Sequence, residues 1–334
     1  MHINHRHAAV IVLSAAWIGF SAPSFAADHA DLPASHTVQP ELYATGFEFA
    51  EGPALDTKGN LYVVNYRGNG NIGRIAPDGT ASVFCDLRKL SPVAGKLPQA
   101  NGLKIDKNGR LIAADAGTGR LLRISVDAKS VEVLADRCDG QPFNALNDVG
   151  LDSVGNIYFS DPGDSDAEKL TGAIYRYALS TGKVTRLAGS LAYPNGLGVT
   201  PDKKHLCVSE SQKFRMLIYD LADDGRVSNE RVLIDFPRKT EGQIVGGKHD
   251  PDGLIFDSKG RLYVGMWTAG VINVVEVPSG KLLRQYDAGG SQATNCHFHG
   301  PYLYTTVAAK EAVFRLKLGV QGFIYNAAQP GTAR

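Results

Sequence analysis

Short apolar runs separated by glycine turns recur along this chain, and they set the expected fold. Glu51-Gly-Pro-Ala-Leu-Asp56 leads into Gly59-Asn-Leu-Tyr-Val63, and Asn101-Gly-Leu-Lys-Ile-Asp106 into Gly109-Arg-Leu-Ile-Ala113. Asn147-Asp-Val-Gly-Leu-Asp152, Asn195-Gly-Leu-Gly-Val-Thr200 and Asp252-Gly-Leu-Ile-Phe-Asp257 open three further copies, and Asn295-Cys-His-Phe-His299 opens a degenerate sixth. The acid or amide that starts each copy recurs every 43 to 57 residues, the spacing of propeller blades. A second apolar run follows in every copy, among them Ile72 to Ile75, Leu121 to Ile124 and Val271 to Val275. A polar turn and a third run, such as Val131 to Leu134, complete most of them. Runs this short, punctuated by Gly, Asp and Pro, are strands rather than helices. The expected fold is therefore all-β: a six-bladed β-propeller of four-stranded antiparallel blades.

The sixth copy has three obvious strands. An N-terminal strand near Leu42-Tyr43 would complete it and close the ring, removing exposed sheet edges; the tail from Gly322 to Asn326 is the other candidate. Ahead of the repeats, Ala8 to Phe20 is an apolar run behind Arg6 and three early histidines, with a small-x-small site at Ser24-Phe-Ala26. That is the pattern of a secretory signal, and the run is short for a membrane span. The expected organisation is a signal peptide at 1–26, a leader at 27–40 and one propeller at 41–334. The expected location is periplasmic or secreted, with no membrane attachment after cleavage. A net charge of +1, with both signs mixed along the chain, excludes the basic stripe of a nucleic-acid surface. Four widely spaced cysteines without a Cys-x-x-Cys pair exclude a zinc-thiolate site. If export allows a bridge, Cys85–Cys138 is the pair to test, whereas Cys207 and Cys296 read as buried strand residues.

The opening strand of each blade lines the central channel, so one fixed register places Glu51, Asn101, Asn147, Asn195, Asp252 and Asn295 at one depth. Asn-Gly and Asp-Gly also form turns, and any single copy reads as one. Persistence of the acid or amide at Asn147-Asp148 and Asn295-Cys296, where no Gly follows, favours a ring. Two carboxylates and four amides offer hard oxygens suited to one divalent metal ion. Ca²⁺ is favoured, Mg²⁺ or Mn²⁺ fits too, and distortion admits Zn²⁺ or Fe²⁺. One ion cannot reach all six, so the remainder face substrate or water. His249, His297 and His299 flank the register residues and read as packing or supporting groups; His297, two residues after Asn295, is the one to check.

Glu51-Gly-Pro, Asn147-Asp, Pro194-Asn-Gly-Leu197 and Pro251-Asp-Gly253 together resemble the signature of the SMP-30/gluconolactonase/LRE-like family, over nearly the whole chain after the signal. The resemblance implies a six-bladed propeller with one catalytic divalent metal and, as the main activity, hydrolysis of sugar lactones to aldonic acids. It makes Glu51, Asn195 and Asp252 metal ligands. It makes Asn147 a substrate contact in the lactonase branch and a ligand in the phosphotriesterase branch. Ala145 stands where the animal lactonases carry an Arg that holds the sugar, and Asn101 is a second candidate substrate contact. Asp252 is also the candidate base, and the absence of a Gly-x-Ser-x-Gly elbow argues against a serine nucleophile. The expected partner is a small lactone, with the chain a monomer or dimer. The rival readings are a phosphotriester or other ester hydrolase on the same ion, and a non-catalytic binding propeller whose ion is structural.

Overall fold

Short strands, most of the inner ones buried along their whole length, build six four-stranded antiparallel sheets in the computed structural model. The structure describes residues 29–68, 70–237 and 249–325. The expected signal peptide lies outside them, as do the first leader residues and Asn326. Helix is confined, among the described residues, to Leu87–Leu90 and the 3-10 turns Ser211–Lys213 and Ala308–Lys310. The innermost strands are Ala50–Leu55, Ala100–Ile105, Val149–Leu151, Pro194–Val199, Pro251–Phe256 and Ala293–His299. Each packs on the next around a ring, and the sixth returns to the first, where the Thr294 hydroxyl donates to the Ala50 carbonyl at 2.8 Å. The blades enclose separate apolar clusters between neighbouring sheets. In the sixth sheet the outermost strand is Glu41–Thr45, antiparallel to Ala312–Lys317.

The turn that follows each inner strand explains the repeated Asp-x-x-Gly. The Asp56 carboxylate accepts the Lys58 and Asn60 amides at 2.9 and 2.8 Å. Asp106, Asp152 and Asp257 do the same for their own turns, each with a left-handed glycine at its tip, such as Gly59 at φ +81°. These are Asx turns, in which the side chain substitutes for a strand partner. The fourth copy has Thr200 and no glycine; Lys203 takes the left-handed conformation in its place, at φ +62°.

Both ends of the described chain differ from the expectation. The leader is tied down well ahead of Glu41: Asp31 receives both guanidinium nitrogens of buried Arg261 at 2.9 Å, and the Pro33 carbonyl accepts from Arg284 and Tyr286. At the other end, Gly322 bridges to Asp257 and Phe323 N–H donates to the Phe256 carbonyl at 3.0 Å. Among the described residues the tail therefore bridges to the fifth blade and adds no strand to the sixth sheet. All four cysteines are free and buried. Cys85 packs in the cluster between the first two blades and Cys138 in the next one, so the Cys85–Cys138 bridge does not form.

Glycine after the register residue serves close packing of inner strands. A Cβ on Gly196 would overlap the Asp252 carbonyl, one on Gly253 the Asn295 side chain, and one on Gly52 the Asn101 carbonyl. Gly196 has no left-handed φ, so it is there for space rather than for a turn. Gly196→Ala is expected to cost roughly 1–3 kcal/mol, the range for overpacking a core. A urea titration of the variant checks this, and an unchanged midpoint would show that the strands are free to part.

Candidate metal centre

Five of the register residues lie within the first three positions of their inner strands, and Asn147 lies two residues ahead of Val149–Leu151. In the first, second, fourth and fifth blades a β-bulge interrupts the pairing there: Pro194 pairs with Glu210 and Leu197 with Val208, leaving Asn195 and Gly196 opposite Ser209 alone. The same two-against-one count holds Asn101-Gly102 and Asp252-Gly253. Bulges re-aim side chains and gather beside functional sites. Three acids that end the neighbouring strand then grip the approach to the ring. Asp115 accepts the Gln99 amide at 2.8 Å, Asp161 those of Asn144 and Ala145 at 3.0 Å, and Glu210 that of Ala192 at 2.9 Å. Asp115 and Glu210 are neutralised by Arg120 and Arg215.

Glu51 and Asp252 are different. Both are buried, each 7 % exposed, and among the described residues no lysine or arginine pairs with either. Burial, followed by the charge of Asp148, pushes the Glu51 carboxyl up to about 8. Burial, followed by the charges of Glu51, Asp148 and Asp250, pushes Asp252 well above the carboxylate range, with the Asn195 amide opposing. Uncompensated acids in a low-dielectric site are costly unless a cation joins them. Two carboxylates, Glu51 and Asp252, with amide oxygens such as those of Asn195 and Asn147, fit the hard oxygen donors that a divalent ion would take. Among the described residues no three His, Cys, Asp or Glu side chains form a metal-holding group, as expected of a set that mixes two carboxylates with amides.

The other register residues divide. Asn101 is buried, 5 % exposed, on the inner strand that packs against that of Glu51. Asn295 is a brace: its amide donates to Asp148 at 3.1 Å and its oxygen accepts the Cys296 N–H at 2.8 Å. Sequence reasoning missed Asp148, although its signal is plain, since it is the one acid that directly follows a register residue. Tyr193 was missed as well. Burial is the main reason its hydroxyl is pushed up to about 12; Tyr66, Asp252 and Glu51 add to this and the Asn147 amide opposes it, which places the phenol among the ring residues.

The chain as a whole matches the family model described as SMP-30/gluconolactonase/LRE-like region over residues 49–309. The chain belongs to this family. A gluconolactonase of Zymomonas mobilis is 26% identical over 292 residues, covering 83% of this chain and 80% of its own. Solved structures agree in fold. A gluconolactonase of Xanthomonas campestris superposes with a TM-score of 0.70 at 24% identity, covering 87% of this chain and 93% of its own. A calcium-binding regucalcin of Agrobacterium tumefaciens superposes with a TM-score of 0.69 at 19% identity, covering 88% and 98%.

In this SMP-30-like chain the opposite end of the channel holds no part of the ring. Leu55, Ile105, Leu151 and Ile255 lie three or four residues beyond their register positions, roughly 10–13 Å along a strand. They line a cavity of about 330 Å³ with Lys104, His297 and Tyr325. His297, the histidine to check, faces this cavity. Burial first and Lys104 second hold its imidazole down at about 3, and Nδ1 lies 2.9 Å from the Phe298 carbonyl. His249 is buried, with Nδ1 3.4 Å from Asn273. Both are packing residues.

Proposed function

We propose that this protein is a divalent-metal-dependent hydrolase that opens lactone rings, with Glu51, Asn195, Asp252 and Asn147 as the ligand set. The observation that carries the reading is the uncompensated carboxylate pair, Glu51 and Asp252, at the mouth of a family propeller whose relatives include a gluconolactonase. Ca²⁺ is the favoured ion, supported by the calcium-binding regucalcin neighbour; Mg²⁺, Mn²⁺, Zn²⁺ and Fe²⁺ are the alternatives for add-back.

A divalent ion at this position polarises a carbonyl and acidifies water beside it. The chain's own groups do the rest. Glu51 anchors the site from the first blade, where the Gly52 N–H donates to its carboxylate at 3.2 Å. Asp252 is held by its backbone: Ser209 donates to the Asp252 carbonyl at 2.7 Å and Ser211 to that of Pro251 at 2.5 Å. A carboxylate oxygen of Asp252 that the ion leaves free would take the proton from attacking water. Asn147 and Asn101 donate amide hydrogens toward the oxygen on which charge develops.

We also propose that Glu41–Thr45 is the strand that closes the ring, that residues 1–26 direct export to the periplasm or beyond, and that the exported chain works as a monomer or dimer. The function is tested with a pH-indicator assay on a lactone panel, run after chelation and after return of single divalent ions. Acid release from at least one lactone that vanishes with chelator and returns with Ca²⁺ is expected. Turnover of phosphotriesters with none of lactones would move the reading to a different hydrolase.

A further inference from the structure

Four half-buried aromatic side chains stand just ahead of the ring residues, at the mouth of the channel. Phe49 and Tyr193 each precede a ring residue by two positions, and both hold left-handed backbone, φ +62° and +57°. Such a conformation is unusual for a bulky residue and marks positions that the surrounding structure enforces. Tyr66 N–H donates to the Phe49 carbonyl at 3.3 Å, and Trp267 N–H to that of Asp250 at 3.0 Å. These bonds set Tyr66 and Trp267 at the same level on the first and fifth blades. The Phe49 ring lies 5.5 Å from Tyr66 and 5.2 Å from Trp267, tilted by 41° and 38°. The Arg67 guanidinium sits 4.4 Å over the face of Phe49.

The first and fifth blades are not neighbours, since the sixth lies between them. The Phe49–Trp267 contact therefore spans the mouth across the sixth blade. That blade contributes Gln292, whose N–H donates to the Trp267 carbonyl at 2.5 Å, and the small Ala293. Both Glu51 and Asp252 lie two residues from members of this cluster or their partners: Phe49 precedes Glu51, and Asp250 precedes Asp252. A ligand reaching the carboxylates passes partly exposed aromatic faces, of which Phe49 carries no polar atom and Trp267 only its indole N–H. A hydrocarbon substituent buries its whole surface against the Phe49 and Trp267 faces, whereas a polyhydroxylated ring must strip water from hydroxyls for which these two faces offer few partners.

We infer that the mouth selects lactones carrying an alkyl or aryl substituent over polyhydroxylated aldonolactones, with Phe49 and Trp267 packing on the substituent and Arg67 holding Phe49 in place. This inference rests on the lactone-hydrolase reading, and its test separates the two. The full chain with Ca²⁺ is assayed on γ-butyrolactone, γ-decalactone and glucono-δ-lactone. A kcat/KM for γ-decalactone at least about ten-fold above that for glucono-δ-lactone is expected. Trp267→Ala and Phe49→Ala should each lower the γ-decalactone value several-fold, mainly through KM, and leave γ-butyrolactone unchanged. Trp267→Phe should restore most of the loss. Preference for glucono-δ-lactone, or an equal fall on all three substrates in Trp267→Ala, would overturn the inference. Should no lactone turn over, the hydrolase reading fails and the mouth is tested by binding. In a Trp17→Phe chain, Trp267 is the sole tryptophan. Its fluorescence should then saturate with the alkyl lactam γ-decanolactam and not with 2-pyrrolidinone, and no saturation with the alkyl lactam overturns the inference.

Discussion

Asp252→Asn should lower metal-dependent lactone turnover by roughly 10³-fold, within the range that one positioned acid–base group contributes, while leaving the fold intact. The asparagine is the same size. The bonds that hold this strand go to backbone oxygens, from Ser209 and Ser211, and survive the change. What is lost is one of two ring carboxylates and the group that takes a proton. The substitution also removes a source of repulsion, because Asp252 is raised by burial and then by the charges of Glu51, Asp148 and Asp250. The chelated variant should accordingly melt at or above the temperature of the chelated parent, and the stabilisation by Ca²⁺ seen in the parent should shrink. Initial rates and paired melting curves, with and without chelator, measure both effects. A variant that keeps more than a tenth of the parental rate would remove Asp252 from the chemistry. A parent that binds Ca²⁺ but turns over no substrate would favour a binding propeller with a structural ion.

The second large effect is a reversal of pH dependence by metal. A carboxyl raised from 4.5 to about 8 in the folded protein keeps a proton that the unfolded chain has already released. Its contribution is present below the unfolded value and is lost as pH rises through the folded one. Asp252 is shifted in the same direction. Each group changes stability by at most about 1.4 kcal/mol per pH unit. The chelated protein should therefore lose on the order of 5–10 °C in Tm between pH 5 and pH 8, at a few degrees per kcal/mol for a chain of this size. A divalent ion competes with those protons, so Ca²⁺ should stabilise little at pH 5 and strongly at pH 8. Calorimetry across that range, in chelator and in Ca²⁺, reads the crossing directly. A chelated Tm that is flat with pH would mean that the pair is neutralised by something else.

Much of this arrangement was legible in the sequence because it repeats. The acid or amide before Gly-Leu or Gly-Pro, the Asp-x-x-Gly turn and the apolar run after it each have a local cause: a bulge, an Asx turn and a strand buried on both faces. Repetition gave one expected depth to Glu51, Asn101, Asn147, Asn195, Asp252 and Asn295 without any pairwise contact being known, and the family resemblance singled out Glu51, Asn195 and Asp252 among them. The residues that escaped act across blades or only once. Asp148 meets Asn295 from 147 positions away. Asp115, Asp161 and Glu210 close their strands in three consecutive copies, a repeat that was readable yet passed over beside the more prominent glycine turns. The docking of Asp31 on Arg261 and of the tail on the fifth blade have no periodic signal, since each is made once. The Cys85–Cys138 pairing rested on similar positions in neighbouring copies, and equal positions in successive blades are separated by a layer of apolar side chains.

Glu51, Asn195 and Asp252 come from three blades, with 144 residues between the first two and 57 between the last two, and the inner strands meet only when the sixth returns to the first. A chain that stops before the sixth blade has all three residues but lacks the strand that joins the fifth blade to the first. The contacts that assemble the mouth are among the most distant in sequence, and such contacts form late during folding. If the proposed ion binds there, its uptake would report completion, because a chain that has not closed its circle lacks the assembled site.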